Sequence, residues 1–223
     1  MLMWFEHLDF AVILVQIVLI DLLLGGDNAV VIALACRKLP PHMQKKAIIL
    51  GTLGAIVARV VLLIIAVHLL ALPWLKIVGG LLLLWIGFKL VGSEEEEANI
   101  NGDNRLWKTV LTITLADVVM SLDNVLAVAA AGKGNVWLVS FGVLISIPII
   151  VMGSKLVLTL LTRFPFIVTL GGALIGWIAG SMLVTDPALL RYTAAIPHLH
   201  WIAGAIGALM VVGYGVVRRG RAS

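Results

Sequence analysis

Apolar runs long enough to cross a bilayer follow one another along this chain, separated only by short polar breaks. A helix of about 20 residues rises about 30 Å, which is the thickness of the hydrocarbon core. In that solvent every backbone N–H and C=O must find its partner within the segment, so the runs are expected to be helices. Composition agrees. Of 223 residues, 61% are hydrophobic and 13% charged, with a mean hydropathy of +1.12. A soluble domain of this length carries about twice that charge. The net charge of +4 does not indicate nucleic-acid binding, because the basic residues sit in short loops between apolar runs. A lone Cys36 excludes an internal disulfide. The first nine residues hold Glu6 and Asp9 and no basic side chain, unlike a cleaved signal peptide, so the first span is expected to be retained.

The pattern predicts an all-α polytopic protein with spans at about 9–36, 47–70, 73–92, 107–131, 135–160, 166–185 and 199–217. Pro40-Pro41, the stretch from Gly92 to Arg105, Gly132-Lys-Gly134, Phe164-Pro165 and Asp186-Pro187 supply the breaks. Trp4, Trp74, Trp107, Trp137 and Trp201 fall near span ends, where indole rings favour the membrane interface. With the N-terminus outside, the inner loops hold eleven basic residues, among them Arg37, Lys38, Lys89, Arg105 and Lys108. The outer loops then hold only Lys76, Lys133 and Arg191. That asymmetry predicts N-out, C-in insertion.

Two segments repeat. Asp21-x5-Asp27-Asn28 recurs 96 residues later as Asp117-x5-Asp123-Asn124. Pro73 to Gly79-Gly80, then Trp85-Ile86, matches Pro165 to Gly171-Gly172, then Trp177-Ile178, at an offset of 92. The shift in offset fits a loop after the first span that is four residues longer than its counterpart. The single transmembrane domain, 1–223, therefore reads as a first repeat at about 8–92, an inner acidic loop at 93–106, a second repeat at about 107–185 and a seventh helix at about 199–217. Three spans per repeat is odd, so the copies are expected to insert with opposite orientation, a common transporter plan with the site at the repeat interface.

Carboxylates within a span are costly, by about 2.5–3.5 kcal/mol each on insertion scales, so a duplicated set of them points to function. The candidate site residues are Asp21, Asp27, Asn28, Asp117, Asp123 and Asn124. Oxygen ligands of this kind suit hard divalent cations. Opposite insertion puts Asp27 and Asp117 at one level and Asp21 and Asp123 at another. Positions i and i+6 lie about 120° apart on a regular helix, so one straight helix would not aim both acids at a single point. A break at Gly25-Gly26 would solve this. Met120, four residues before Asn124, adds a thioether on the same face, which tilts selectivity towards a transition metal. Arg59 and Lys155 lie within spans, also 96 residues apart, and are candidate charge partners. Four ionised Asp and these two cations leave a deficit that one divalent ion closes. Protonation of one or more Asp is the alternative, and the two combine in a metal/proton exchanger. In a purely structural reading the acids cap helix ends or pair with Arg59 or Lys155 as inter-helix glue.

At these residues the chain resembles the TerC family of integral membrane proteins, in its bacterial branch of metal transporters. The likeness rests on the two Asp-x5-Asp-Asn motifs and the paired Gly-Gly segments, and covers about residues 8–217. It implies export of divalent metal, chiefly Mn²⁺, and a three-plus-three helical plan shared with LysE-type exporters. It also implies that the membrane-embedded acids are Asp21, Asp27, Asp117 and Asp123. The family's name links it to tellurium resistance, for which this chain has no dedicated chemistry. Two other readings stand beside metal export: a LysE-like amino-acid exporter, and a non-transporting membrane scaffold linked to metal or tellurite resistance.

Other features carry less. Glu94 to Glu97 read as a solvated loop, and His198 and His200 as interfacial residues near the outer mouth. Gly204-x2-Gly207 suits either internal packing or a homo-oligomer. No phosphate loop, nucleophile elbow or metalloprotease motif is present, which disfavours ATP drive and hydrolysis. The reading is a secondary transporter and not an enzyme. It has no resident cofactor, with the lipid bilayer and a transported divalent cation as partners.

Overall fold

The computed structural model describes residues 2–69, 72–92, 102–131, 135–164, 166–193 and 195–222. These residues form eight helices and no strand: α1 (Leu2–Cys36), α2 (Pro41–Leu69), α3 (Leu75–Val91), α4 (Gly102–Ala131), α5 (Val136–Arg163), α6 (Phe166–Val184), the single turn α7 (Leu190–Thr193) and α8 (Leu199–Ala222). Helices α1, α2, α4 and α8 extend beyond the apolar pattern that predicts them. For α2 the reason is local: Pro41 begins the helix at a position where its missing N–H costs nothing and its fixed φ already suits the helix. Residues Glu94 to Glu97 lie outside the described residues.

Among the described residues, five helices are long and apolar enough to cross a membrane: α1, α2, α5, α6 and α8. Helix α3 has 17 residues, and α4 carries Asp103, Arg105, Lys108, Asp117 and Asp123 along its length. Much of the bundle surface is apolar, as lipid requires; Leu23, Val57, Met152 and Leu209 are among its exposed side chains. Trp74, Trp107, Trp137 and Trp201 are exposed as well.

The helices pack in pairs whose directions follow from the side chains that meet. Ile17 lies against Gly142 and Ala29 against Gly153, so α1 and α5 run parallel. Gly51 lies against Ile113 and Gly54 against Thr114, with Arg59 bonded to Asp117 further along, so α2 and α4 are also parallel. Asn28 meets Asp117 and Leu24 meets Asn124, which makes α1 and α4 antiparallel. Helix α8 lies antiparallel on α6, where glycines allow backbone contact. A Cβ on Gly176 would strike the Gly207 carbonyl, and one on Gly180 the Ala203 carbonyl. Gly204 faces Trp177 and Ser181 of α6, so the Gly204-x2-Gly207 face is used for packing within the chain.

Both ends of the bundle are tied by polar contacts. At one end Arg37 Nη2 donates to the Leu90 carbonyl (3.2 Å) and Lys38 Nζ to the Lys89 carbonyl (3.0 Å). Cations thus meet the last carbonyls of α3, where the helix dipole favours them. At the other end Asp186, fully buried, accepts from the backbone N–H groups of Trp74 (2.9 Å), Lys76 (3.0 Å), Ile77 (3.3 Å) and Ala188 (2.8 Å). It joins the start of α3 to the end of α6 and satisfies N–H groups that no helix partner can reach. Burial by itself raises the pKa of this carboxyl, but the four N–H donors outweigh it and hold the group below its ordinary value.

Two predictions follow from this packing. Gly180→Leu drives a side chain into the α8 backbone and lowers stability by about 1–3 kcal/mol or more, read as an earlier thermal unfolding of detergent-purified protein. Asp186→Asn costs about 1–3 kcal/mol by leaving N–H donors unpaired. Because the folded-state pKa is depressed, this stabilisation is complete above the ordinary value of 3.8 and is lost as pH falls through the lower folded-state value. The gap between wild type and variant therefore closes with acidification and is widest at neutral pH.

Candidate functional site

Helix α1 passes through Gly25-Gly26 without interruption. The expected break is absent, and the helix geometry sorts the motif differently. Seven residues bring a helix round to almost the same face, so Asp21 and Asn28 point together into the bundle while Asp27 is turned aside. Accordingly Asp21 and Asn28 are buried, at 1% and 3% exposure, and Asp27 is half-buried. Gly25 is buried beside the cluster, where a Cβ would meet Asn28 Nδ2 at 3.4 Å and Arg59 Nη1 at 3.9 Å, ordinary van der Waals contact.

Arg59, from α2, is 5% exposed and holds the centre. Its Nη1 lies 2.6 Å from Asp21 Oδ1 on α1, and its Nη2 lies 2.6 Å from Asp117 Oδ1 on α4. Asn28 Nδ2 donates to the same Asp117 oxygen at 2.9 Å, and Ser121 Oγ donates to Asp117 Oδ2 at 3.3 Å. Ser146, from α5, donates to Asp21 Oδ2. Its single proton is also within 2.8 Å of the Val143 carbonyl, so it serves one acceptor at a time. Four helices thus converge on one guanidinium. Desolvating three charges is expensive and the pairing returns only part of it, whereas removing one partner alone typically costs about 3–5 kcal/mol.

A cavity opens beside Arg59 and Asp117, towards the C-terminal end of α1 and the N-terminal end of α2. It has about 20 Å³ of room for the centre of a water-sized sphere, enough for one small guest. Asn28, Thr52, Arg59, Asp117 and Met120 contribute to its wall, and aliphatic side chains, mostly isoleucines, complete it. Two buried acceptors on that wall, Asn28 Oδ1 and Thr52 Oγ1, have no hydrogen-bond partner among the described residues. Asp27 Oδ1 is buried and unpartnered as well.

The structure therefore brings together Asp21, Asn28, Asp117 and Arg59 from the sequence candidates. Asn28 sits beside Asp117, at the level expected from opposed spans, and Arg59 carries the connection on to Asp21. Asn124 stands apart and pins α4 to α1 through the Leu24 carbonyl at 3.0 Å. The side chain of Asp123 lies outside the described residues, and with it the expected pairing with Asp21. Lys155 is exposed on α5 and takes no part in the ion pairs of the described residues. Among those residues no three His, Cys, Asp or Glu side chains come close enough to hold a metal ion. Sequence reasoning passed over Thr52, Ser121 and Ser146 as site residues. Their only signal was a hydroxyl within an apolar run, which more often bonds back to its own helix, as Thr109 and Thr112 do here.

Comparison with known proteins accords with this architecture. Residues 6–222 match the family described as Integral membrane protein TerC family. The uncharacterized membrane protein YjbE of Bacillus subtilis (strain 168) is 44% identical over 189 residues, 85% of this chain and 86% of that protein. The uncharacterized membrane protein YceF of the same organism is 31% identical over 193 residues, 81% of this chain and 75% of that one. The UPF0053 protein YegH of Escherichia coli (strain K12) is 29% identical over 178 residues, which cover 70% of this chain and a third of YegH. No solved structure matches the chain. With its apolar helices and paired acidic motifs, the chain belongs to the TerC family of integral membrane proteins.

Proposed function

We propose that this protein is a secondary transporter that exports divalent metal ions, Mn²⁺ foremost, across a bacterial cytoplasmic membrane. The observation that carries the proposal is the buried cation already held between two carboxylates from different helices, with a water-sized cavity beside it. A site that binds one cation in a dry interior has the charge and oxygen donors to bind another. Carboxylate, amide and hydroxyl oxygens favour a hard divalent ion, and Met120 on the cavity wall favours a transition metal over Mg²⁺ or Ca²⁺. The cavity volume suits a single ion, which argues against an amino acid as cargo. Export as the direction, like manganese as the cargo, follows from the family resemblance.

The packing supports two inverted three-helix repeats with α3 and α4 as further spans and α8 as the seventh. Exchanging α1–α3 for α4–α6 turns the α1–α5 contact into the α4–α2 contact, and both are parallel pairs. Ile17 and Ile113 play matching parts and lie 96 residues apart, while their glycine partners Gly142 and Gly51 lie 91 apart. By that second offset the counterpart of Arg59 is Ile150, which lines the same cavity. Arg59 thus breaks the symmetry from a place near its axis. Lys155 lies away from the site, where the Asp21 and Asp117 carboxylates and Arg59 sum to a formal charge of −1, and exchange of metal for protons rests on the competition of both for the same oxygens. Lys38, Lys89 and Lys108 gather at the end where α1 and α3 finish, in agreement with N-out, C-in insertion.

The test is Mn²⁺ flux in proteoliposomes under an imposed pH gradient. Wild type is expected to carry Mn²⁺, with Asp21→Asn and Asp117→Asn reduced to the protein-free background while remaining folded. Folded wild-type protein that moves no Mn²⁺, or moves an amino acid instead, would refute the proposal. Activity that survives both substitutions would favour the scaffold reading.

A further inference from the structure

We propose that Arg59 is a tethered competitor of the transported cation. It occupies the Asp21 and Asp117 carboxylates when cargo is absent, and withdraws to a second berth at Asn28 Oδ1 and Thr52 Oγ1 when cargo binds. This rests on the transport reading and specifies how the same site is emptied and filled.

Three observations lead to it. The guanidinium sits where a shared cation would sit, 2.6 Å from one oxygen of each carboxylate, so the pair cannot fully engage a metal while Arg59 stays. The guanidinium also borders a cavity, so it has room to move. Finally, the cavity wall presents two buried acceptors with no donor among the described residues. An unsatisfied buried acceptor is costly, and an arginine has five N–H donors to offer.

The second berth is close. Asn28 Nδ2 and Arg59 Nη2 already share Asp117 Oδ1, so the Asn28 amide adjoins the guanidinium in the present position. Thr52 lies seven residues before Arg59 and so on the same face of α2, about two turns away. A guanidinium swung back along its own helix meets both oxygens. Met120 and the surrounding isoleucines offer the charge no hydrogen bond along that path, so these two oxygens are the protein groups that can receive it.

The device has a kinetic purpose. Two carboxylates in a low-dielectric site would hold a divalent ion too tightly to release it. A built-in cation lowers the apparent affinity in proportion to the fraction of time the carboxylates are free. When the metal leaves, the returning guanidinium refills the site and spares the protein two unpaired buried charges.

Mn²⁺ titration of purified protein tests this, together with flux. Arg59→Gln is expected to bind Mn²⁺ at least about tenfold more tightly than wild type, to carry it more slowly, and to lose the extra affinity when guanidinium chloride is added at millimolar levels. Thr52→Val is expected to weaken Mn²⁺ binding several-fold in the wild-type background and to have no effect beside Arg59→Gln, because the berth matters only to the arginine. Should Arg59→Gln fail to fold, Arg59→Lys, which can bridge only one carboxylate well, is expected to bind more tightly than wild type. Wild type that transports Mn²⁺ while the Arg59 variants bind it no better than wild type would overturn the inference and leave the transport reading intact. Equal weakening by Thr52→Val in both backgrounds would overturn it as well, making Thr52 a ligand of the metal. Wild type that neither binds nor carries Mn²⁺ would remove both readings together.

Discussion

A charge in hydrocarbon must find its opposite within the protein, and this architecture is arranged around one such encounter. Arg59 joins α2 to α1 through Asp21 and to α4 through Asp117, while Ser146 brings in α5. The parallel pairs α1–α5 and α2–α4 have to align in depth for these groups to meet. Their glycine contacts, Gly142 on Ile17 and Gly51 on Ile113, lie on the same helices and fix that alignment. In lipid, where apolar contact gives no net hydrophobic drive between helices, close backbone packing and buried polar bonds carry the association. The α6–α8 seam supplies the first and the Arg59 cluster the second.

In the proposed transport role the cluster would be structural and functional at once. A cation held by two carboxylates ties the helices together in one state, and the same attraction would draw in a metal ion in another. A transporter needs its site to be satisfied when empty, because bare carboxylates in a dry interior are too costly to keep. A resident guanidinium meets that need without a bound ion, and the unpartnered oxygens of Asn28 and Thr52 give it somewhere to go.

Much of this was legible in the sequence, because membrane helices announce themselves by length and apolarity. Five apolar spanning helices and the family followed from residue types and their spacing. The roles inside the site were less legible. Gly25-Gly26 reads as a helix break by composition, yet α1 runs through it without interruption. Which acid turns inward is set by the rotation of α1 against α4 and α5, and it selects Asp21 with Asn28 over Asp27. Lys155 was matched to Arg59 by carrying the 96-residue offset past a loop of different length. The glycine contacts place the match at Ile150, and Lys155 is left exposed on α5. Thr52 and Ser146 carry no sequence signal of their own, since a lone hydroxyl in an apolar helix gains meaning only from what faces it.

The most direct measurement is the anomalous difference density of crystals grown with Mn²⁺, collected at the manganese edge. A peak is expected between the Asp21 and Asp117 carboxylates, with the Arg59 guanidinium moved off them towards Asn28 and Thr52. A peak elsewhere with both Arg59 ion pairs intact, or no peak at saturating Mn²⁺, would contradict this arrangement.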